Sequence, residues 1–237
     1  MITGIIVALP EELRTLSKKK ISKGHYDFIS ETIIVAYSGA GATNAAKATE
    51  LLISKGATRL ISWGCAGALA ANLKAGDLML PESLLTTEKA SLALNQNWQQ
   101  HTAKLFPESH SGSIIDSVNI IANSDDKKSL HQQSQANAVD MESAAITQVC
   151  QQYNLPCLVI RTIADPVEMS LPQAVSHAMN AEGEVILSKL LSYLLTHPQQ
   201  IPALIRLGIH FNAAQNKLKA VANHLDTIVN FDLDKTA

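Results

Sequence analysis

Short apolar runs alternate with amphipathic segments along most of the chain, and this alternation predicts strands that alternate with helices. A first apolar run at 2–8 is followed by helical spacing over 11–16, and a second run at 32–37 is followed by helical spacing over 44–55. Runs without polar positions are typical of strands buried on both faces. We therefore expect an α/β fold of three layers, α/β/α, with a central, mostly parallel (mixed) sheet.

The rest of the chain continues this order up to about residue 195. The further expected elements are strands at 59–63, 77–81, 113–122 and 157–164, helices at 125–133, 141–153 and 185–195, and an amphipathic region at 201–228. The polar stretch 86–113 has no clear period and is expected to form a loop or lid. Because no linker divides the chain, we expect one domain over residues 1–195 with a C-terminal helical extension of the same domain over 196–237.

Composition narrows the class of protein. The 237 residues are 46% hydrophobic and 17% charged, with a net charge of -2. Such a chain has no general attraction to nucleic acid or to anionic lipid. Its three cysteines are sparse and odd in number, which favours reduced thiols and a cytoplasmic location. The apolar start has no basic segment before it, and no apolar run reaches the ~18 residues of a membrane helix, so we expect neither a signal peptide nor a transmembrane segment.

Small or acidic residues follow several of the predicted strands. In open α/β sheets, ligands bind at the carboxyl ends of the strands. Four segments meet this description and a fifth opens a helix: Leu9–Glu12, Ser38–Gly41, Gly64–Gly67, Ile163–Pro166 and, at the helix, Val139–Glu142.

Asp165 has the clearest chemical potential of these residues. Burial at a strand end raises the pKa of a carboxyl, which allows it to hold a proton near neutrality. The alternative, an ordinary Asp-Pro turn, is favoured by the local sequence alone. Arg161 is expected on the same strand face as Asp165, because every second residue of a strand points to the same side. A buried arginine requires anions nearby. Glu12 and Glu142 are the expected members of that cluster, although Glu142 could also be only a charge near a helix N-terminus that Asp140 caps.

Other chemistries find little support in the sequence. The histidines and cysteines form no pair at metal-ligand spacing, so we expect no metal and no cofactor. The run Gly39–Asn44 is an incomplete dinucleotide motif, because no acidic residue follows ~20 positions later. Cys65 lies in an apolar stretch and is more often an inert core residue than a nucleophile.

These segments together resemble the purine nucleoside phosphorylase and nucleosidase superfamily. The resemblance spans most of residues 1–195 and is ordered along the chain. It rests on Gly4–Ile6 with Glu12, Ser38-Gly39 with Gly41, Gly64–Gly67, Leu73–Leu78, Val139–Ala145 and Arg161–Asp165.

The resemblance implies cleavage of the bond between a purine base and a ribose. By match to the family motifs, Asp165 would protonate N7 of the base and Glu142 would bind the ribose 2′- and 3′-hydroxyls. Met141 would pack against the sugar, and Glu12 would position or deprotonate the attacking water. Arg161 would hold the acidic cluster together.

Three further residues of the matched motifs, Gly64, Cys65 and Asp140, would support this site. The implied partner is a small-molecule nucleoside, and the resemblance favours a homodimer.

The two halves of the chain resemble different branches of the superfamily. The first half is similar to the methylthioadenosine/S-adenosylhomocysteine nucleosidases. The second half is more similar to the hopanoid-associated phosphorylases, which are thought to remove adenine from adenosylhopane, at 164–166, 170–172 and the tail 198–207. Asp140 in place of Glu, Ala164 in place of Ser and the lack of an aromatic residue at 123–128 argue against methylthioadenosine as the substrate. We therefore expect a 5′-modified adenosine, with adenosylhopane as the candidate.

Water is the expected acceptor of the ribosyl group. Family phosphorylases bind phosphate through arginines in the first loop and just before the glycine turn, where this chain has Pro10–Glu12 and Ser62-Trp63. A phosphate dianion beside Glu12 would be repelled. A phosphorylase, a methylthioadenosine/S-adenosylhomocysteine nucleosidase and a non-catalytic nucleoside-binding protein remain the alternatives.

Overall fold

A computed structural model describes residues 1–88, 90–178 and 186–233. Its strands are β1 Ile2–Val7, β2 His25–Phe28, β3 Ile33–Tyr37, β4 Ala57–Ala68, β5 Leu78–Met79, β6 Ser83–Leu85, β7 Ser91–Ala93, β8 Ser113–Asp116, β9 Ala138–Asp140 and β10 Cys157–Asp165. Its helices are α1 Pro10–Leu16, α2 Ala42–Ser54, α3 Gln96–Leu105, α4 Ser124–Ser134, α5 Ser143–Gln152, α6 Gln173–Ala178, α7 Leu187–Thr196, α8 Ile201–Ala222 and α9 Leu225–Val229, with a 3-10 turn at Pro198–Gln200.

The described strands form one mixed sheet built around the long strand β4. The hydrogen-bonded order is β2-β3-β1-β4-β9-β8-β6-β7, and β10 pairs with both β4 and β5. The central pairs β1–β3, β1–β4 and β4–β10 are parallel. Because these parallel strands end at one edge, the loops after β1, β3 and β10 come together there.

Helices cover both faces of the sheet, which confirms the predicted three-layer α/β fold. On one face, apolar side chains of α2 and α5 such as Leu52 and Ile146 pack with those of the strands. On the other face, Trp98 of α3 and Leu218 of α8 pack with strand residues such as Ile160. Each face buries an apolar layer, and this burial is the main favourable contribution to the fold.

The expected loop or lid at 86–113 is wrong in part, because this stretch contains β7 and α3. The side chain of Asn95 accepts a hydrogen bond from the backbone N–H of Trp98 (2.9 Å) and so caps α3. Trp98 is fully buried, and its indole N–H donates to the Ile228 carbonyl at 2.8 Å. Polar residues on the outer side of α3 hid its helical period from a hydrophobicity-based prediction.

Several boundaries also differ from the expectations. The strand predicted at 113–122 ends at Asp116, and the following residues form part of a pocket wall. The helix predicted from residue 141 begins at Ser143, because 138–140 pair with β4 and β8 as β9. The start of the helix predicted at 185–195 lies outside the described residues.

The C-terminal helices share the core of the main sheet. Leu218 and Val221 of α8 are fully buried in the same apolar layer as β1 and β10. By contrast, α7 has two strongly exposed leucines, Leu191 and Leu195. Within the described residues, no helix combines the length and hydrophobicity required to cross a bilayer.

Candidate active site

A pocket of about 310 Å³ opens at the carboxyl edge of the central strands. Three acidic side chains from distant parts of the sequence line it, namely Glu12, Glu142 and Asp165. Glu12 and Glu142 are almost completely buried, and the side chain of Asp165 is 16% exposed. Buried carboxyl groups that line one pocket are typical of catalytic sites, because burial changes their affinity for protons.

Glu12 is held in place by backbone N–H groups. Leu9 precedes α1, Pro10 takes the first helical position, and Glu12 lies in the first turn with its carboxylate directed back. One oxygen, Oε2, accepts hydrogen bonds from the N–H groups of Ala8 (2.9 Å) and Leu9 (3.0 Å). The other, Oε1, accepts one from the N–H of Cys65 (2.9 Å). Burial raises the pKa of Glu12, while Arg161 and these three hydrogen bonds act in the opposite direction.

Gly64 and Cys65 form the surface against which Glu12 rests. A Cβ atom at position 64 would lie 2.5 Å from Glu12 Oε1, so only glycine permits this approach. The pKa of the Cys65 thiol is raised, first by burial and then by Glu12, so the thiol stays protonated. Its sulfur lies 3.7 Å from the Thr162 hydroxyl and accepts a weak hydrogen bond from Gln215 of α8 (3.6 Å). Cys65 thus offers its N–H and its apolar side chain, not a thiolate.

Glu142 and Met141 line the pocket between β9 and α5. The carboxylate of Glu142 accepts a hydrogen bond from the N–H of Gly41 at 2.8 Å. Gly41 has φ +94°, a conformation that favours glycine and that directs its N–H at the carboxylate. Burial and the neighbouring Asp140 raise the pKa of Glu142 to about 7.

Arg161 lies within the expected carboxylate cluster, and in the described structure its hydrogen bond to a carboxylate goes to Asp140 and not to Glu12 or Glu142. Its Nε donates to Asp140 Oδ2 at 2.7 Å, and its NH2 group donates to the Ser62 hydroxyl at 2.8 Å. Asp140 in turn accepts hydrogen bonds from the N–H and the hydroxyl of Ser143. β9 pairs with the end of β4, and Asp140 at the end of β9, itself one of the pocket-lining residues, meets Arg161 there. The guanidinium still acts on Glu12 and Glu142 through its charge.

Asp165 pairs with Lys127, which the sequence analysis did not single out. The pairing of β10 with β4 shifts by one residue between Ile163 and Asp165. This bulge interrupts the alternation that was expected to place Arg161 and Asp165 on one strand face. Burial raises the pKa of Asp165, and the ammonium of Lys127 opposes that effect.

Two other contributions to the pocket come from elements outside the matched motifs. Leu207 and Phe211 of α8 line the wall, and so do Leu171 and Val175 from the segment around α6. The amphipathic period of 201–228 predicted a helix, α8, but it did not show which side of that helix faces the pocket. Lys127 had no such signal, because it follows Asp125 and Asp126 and precedes Lys128 in a run typical of a solvated helix.

None of the described residues that line the pocket carries a positive charge. Arg161 and Lys127 are buried and are not among the lining residues, and they pair with Asp140 and Asp165 of the wall. The exposed side chain of Arg14 pairs with Glu11. The wall therefore presents carboxylates and apolar side chains, an arrangement that stabilises positive charge and disfavours a bound anion.

Breaking a glycosidic bond requires an acidic group that can hold a proton and carboxylates that can stabilise a cation, and this pocket contains both. The fold and this pocket define a glycosidic-bond-cleaving enzyme of the nucleosidase and nucleoside phosphorylase class.

Comparison with known proteins identifies the family. The chain matches the phosphorylase superfamily over residues 3–97 and 85–196, and it belongs to that superfamily.

Individual relatives are nucleosidases. The 5′-methylthioadenosine/S-adenosylhomocysteine nucleosidase of Staphylococcus haemolyticus is 26% identical over 225 residues, covering 77% of this chain and 96% of that protein. The enzyme of the same name from Staphylococcus aureus is 29% identical over 202 residues, covering 68% and 85%.

Solved structures show the same fold. A mutant of the Helicobacter pylori methylthioadenosine nucleosidase, with 5′-methylthioadenosine in its active site, has a TM-score of 0.70 at 20% identity, covering 97% of this chain and 98% of the other. The futalosine hydrolase of Helicobacter pylori has a TM-score of 0.69 at 20% identity, covering 96% and 97%. The superfamily prediction is thereby confirmed, while the likeness to hopanoid-associated phosphorylases stays a prediction.

Proposed function

We propose that the protein hydrolyses the N-glycosidic bond of a 5′-modified adenosine and releases adenine. The observation that carries this proposal is the convergence of Glu12, Glu142 and Asp165 on one pocket. In this mechanism Asp165 donates a proton to N7 of the base, which neutralises the departing purine. Donation of this kind contributes about 10²–10⁴ in rate.

The other two carboxylates act on the ribose. Glu142 binds the 2′- and 3′-hydroxyls, and its negative charge stabilises the positive charge that develops on the sugar. Met141, beside it in the wall, packs against the ribose. Glu12 orients the water molecule that attacks the anomeric carbon and accepts its proton. Its three backbone hydrogen bonds support this role, because they fix the carboxylate before substrate binds.

Water is the proposed nucleophile because the described pocket wall has no cation for a phosphate group. The test is release of free adenine in phosphate-free buffer and again with added phosphate. Equal rates support hydrolysis. A strict requirement for phosphate would establish the phosphorylase alternative instead.

We propose an apolar 5′ substituent, with adenosylhopane as the candidate. Ile120, Ile121, Leu171, Leu207 and Phe211 give the pocket an extensive apolar wall. The names of the relatives favour methylthioadenosine and S-adenosylhomocysteine as alternative substrates. A panel of adenosines with 5′ groups of increasing apolar size, scored by kcat/KM, distinguishes these candidates. A protein that binds every member and cleaves none would be a nucleoside-binding protein without catalysis.

We also propose that the enzyme is a cytoplasmic homodimer, on the basis of its composition and its superfamily. Light scattering coupled to gel filtration gives the oligomeric state directly.

A further inference from the structure

Lys127 is a fully buried lysine with no place in the mechanism above. Its ammonium donates three hydrogen bonds, to Asp165 Oδ2, to the Met169 carbonyl (2.9 Å) and to the Pro166 carbonyl (3.2 Å). An ammonium has three N–H donors, so all of them are used. Burial of an ammonium without an anion is costly, and Asp165 is the carboxylate with which Lys127 pairs in the described structure.

The ion pair with Lys127 makes the two carboxyl oxygens of Asp165 different, because it holds one of them and not the other. Oδ2 is held by Lys127, which is not among the pocket-lining residues, while Oδ1 accepts no hydrogen bond from any described residue. A carboxyl group held at one oxygen has lost its rotational freedom, and the other oxygen is available to a ligand. The same ammonium also anchors the carbonyls of residues 166 and 169, so the loop after β10 and the carboxyl group are held as one unit.

We propose that Lys127 is a positioning residue for Asp165, which directs one carboxyl oxygen into the pocket and adjusts how readily Asp165 gives up its proton. This inference rests on the proposed function of Asp165 as the acid. Burial raises the pKa of Asp165, and the ammonium of Lys127 opposes this rise. A general acid is most effective when its pKa lies near the working pH.

Two positively charged or titratable groups face Asp165 from the elements packed against it. Lys127 approaches from α4, and His210 approaches from α8 and lowers the pKa of Asp165 to a smaller extent. His210 Nδ1 is buried and has no hydrogen-bond partner within the described structure. Because Lys127 is the one of these two groups that donates a hydrogen bond to the carboxyl, its removal should have the larger effect.

The test compares neutral variants at position 127 with a matched variant at the next residue. Lys127→Gln keeps hydrogen-bond donors without the charge, and Lys127→Met keeps the apolar volume. Lys128→Gln is the control, because Lys128 is exposed and pairs with Glu168 at 2.8 Å on the surface. The readout is the pH profile of kcat/KM, with folding checked by circular dichroism.

Loss of the ammonium raises the pKa of Asp165, so the acid stays protonated to higher pH. The alkaline limb of the profile should move upward by about one to three pH units. At the plateau kcat should fall at least about tenfold, because the acid is weaker and less well oriented. The Lys128→Gln profile should match the wild type, and Lys127→Arg should restore the alkaline limb to near its wild-type position. A folded neutral variant with lower kcat and an unmoved alkaline limb would overturn the proposal and leave Lys127 a purely structural role.

A second measurement separates this inference from the proposed function. The ¹³C resonance of the Asp165 carboxyl, assigned by its loss in Asp165→Asn, gives the titration midpoint without any turnover. A higher midpoint in the neutral variants supports the role of Lys127 even if no nucleoside is cleaved. Should neither neutral variant fold, the ¹⁵N resonance of Lys127 in the wild type should respond at the pH where Asp165 titrates, and a silent resonance would refute the coupling.

Discussion

Gly64→Ala is the substitution for which the structure gives the sharpest expected loss. The added Cβ would lie 2.5 Å from Glu12 Oε1, 2.7 Å from Cδ and 3.0 Å from Oε2. Ordinary contact requires the carboxylate to retreat by roughly 1 Å. That movement breaks the 2.9 Å hydrogen bond from the Cys65 N–H and lengthens those from Ala8 and Leu9. A hydrogen bond to a charged group contributes about 1.5–3 kcal/mol, so one lost bond already costs much of a typical stability margin.

The effect on catalysis should be larger than the effect on stability. A misplacement of about 1 Å at a catalytic group costs on the order of 100-fold in rate, so we expect kcat to fall about that much while KM changes little. Base release measured at saturating nucleoside and thermal unfolding together provide the assay. Gly208→Ala is the matched control, because no atom lies within 4 Å of the new Cβ and alanine favours a helix. An alanine at position 64 that keeps kcat within about threefold of wild type would refute the proposed contact between this turn and the base.

Three further predictions concern the carboxylates. Asp165→Asn should lower kcat by about 10²–10⁴ with little change in binding, whereas the exposed Asp125→Asn should have no effect; wild-type turnover in the first variant would exclude the acid role. The pH profile of kcat/KM should be bell-shaped. Glu12 and Glu142 must be ionised, and their raised pKa values place the acid limb above 4.5, while Asp165 must be protonated, so activity falls as pH rises through its raised pKa. A rate that climbs without limit toward high pH would contradict this. Glu142→Gln should reduce kcat about 100-fold. It should also raise the free energy of unfolding at pH 8 by at most about 3 kcal/mol, because the pKa of Glu142 rises from 4.5 to about 7 on folding. The favourable contribution of this carboxyl to stability is lost as pH rises through 7. Denaturation curves at pH 4 and pH 8 check this, and the gain should nearly vanish at pH 4, below the unfolded pKa.

The sequence was sufficient for the layers of the fold because its strands are continuous apolar runs. Strands such as β1 and β10 have almost no exposed positions, and their pattern can only be satisfied between two helical layers. The short strands β2 and β6 and the helix α3 were missed, because few of their residues are apolar or their period is brief. Tertiary contacts such as the Trp98 hydrogen bond to α9 determine these elements.

The site shows a similar division between motif and packing. The residues of the matched motifs, Glu12, Glu142 and Asp165, do line one pocket. Their partners could not be predicted from spacing. Arg161 contacts Asp140 because of how β9 joins the sheet, and Asp165 turns toward Lys127 because of a bulge in β10. A shift of one residue in register reverses the face that a side chain occupies, and hydrophobic pattern alone does not reveal it.

The charge balance of the site favours a reaction that creates positive charge on the sugar. Four acidic side chains line the described pocket, Glu12, Asp140, Glu142 and Asp165, and two basic side chains, Lys127 and Arg161, pair with members of this set. With every group ionised the cluster carries an excess of two negative charges, and the pKa of Glu142 is raised to about 7 partly by Asp140. A ribosyl cation in the pocket would relieve this repulsion and favour the ionised form of Glu142. A phosphate dianion would double the excess, so Glu12 or Glu142 would have to take up a proton before phosphate could bind. The charge of the site therefore disfavours a phosphate dianion and supports the proposal that water is the acceptor.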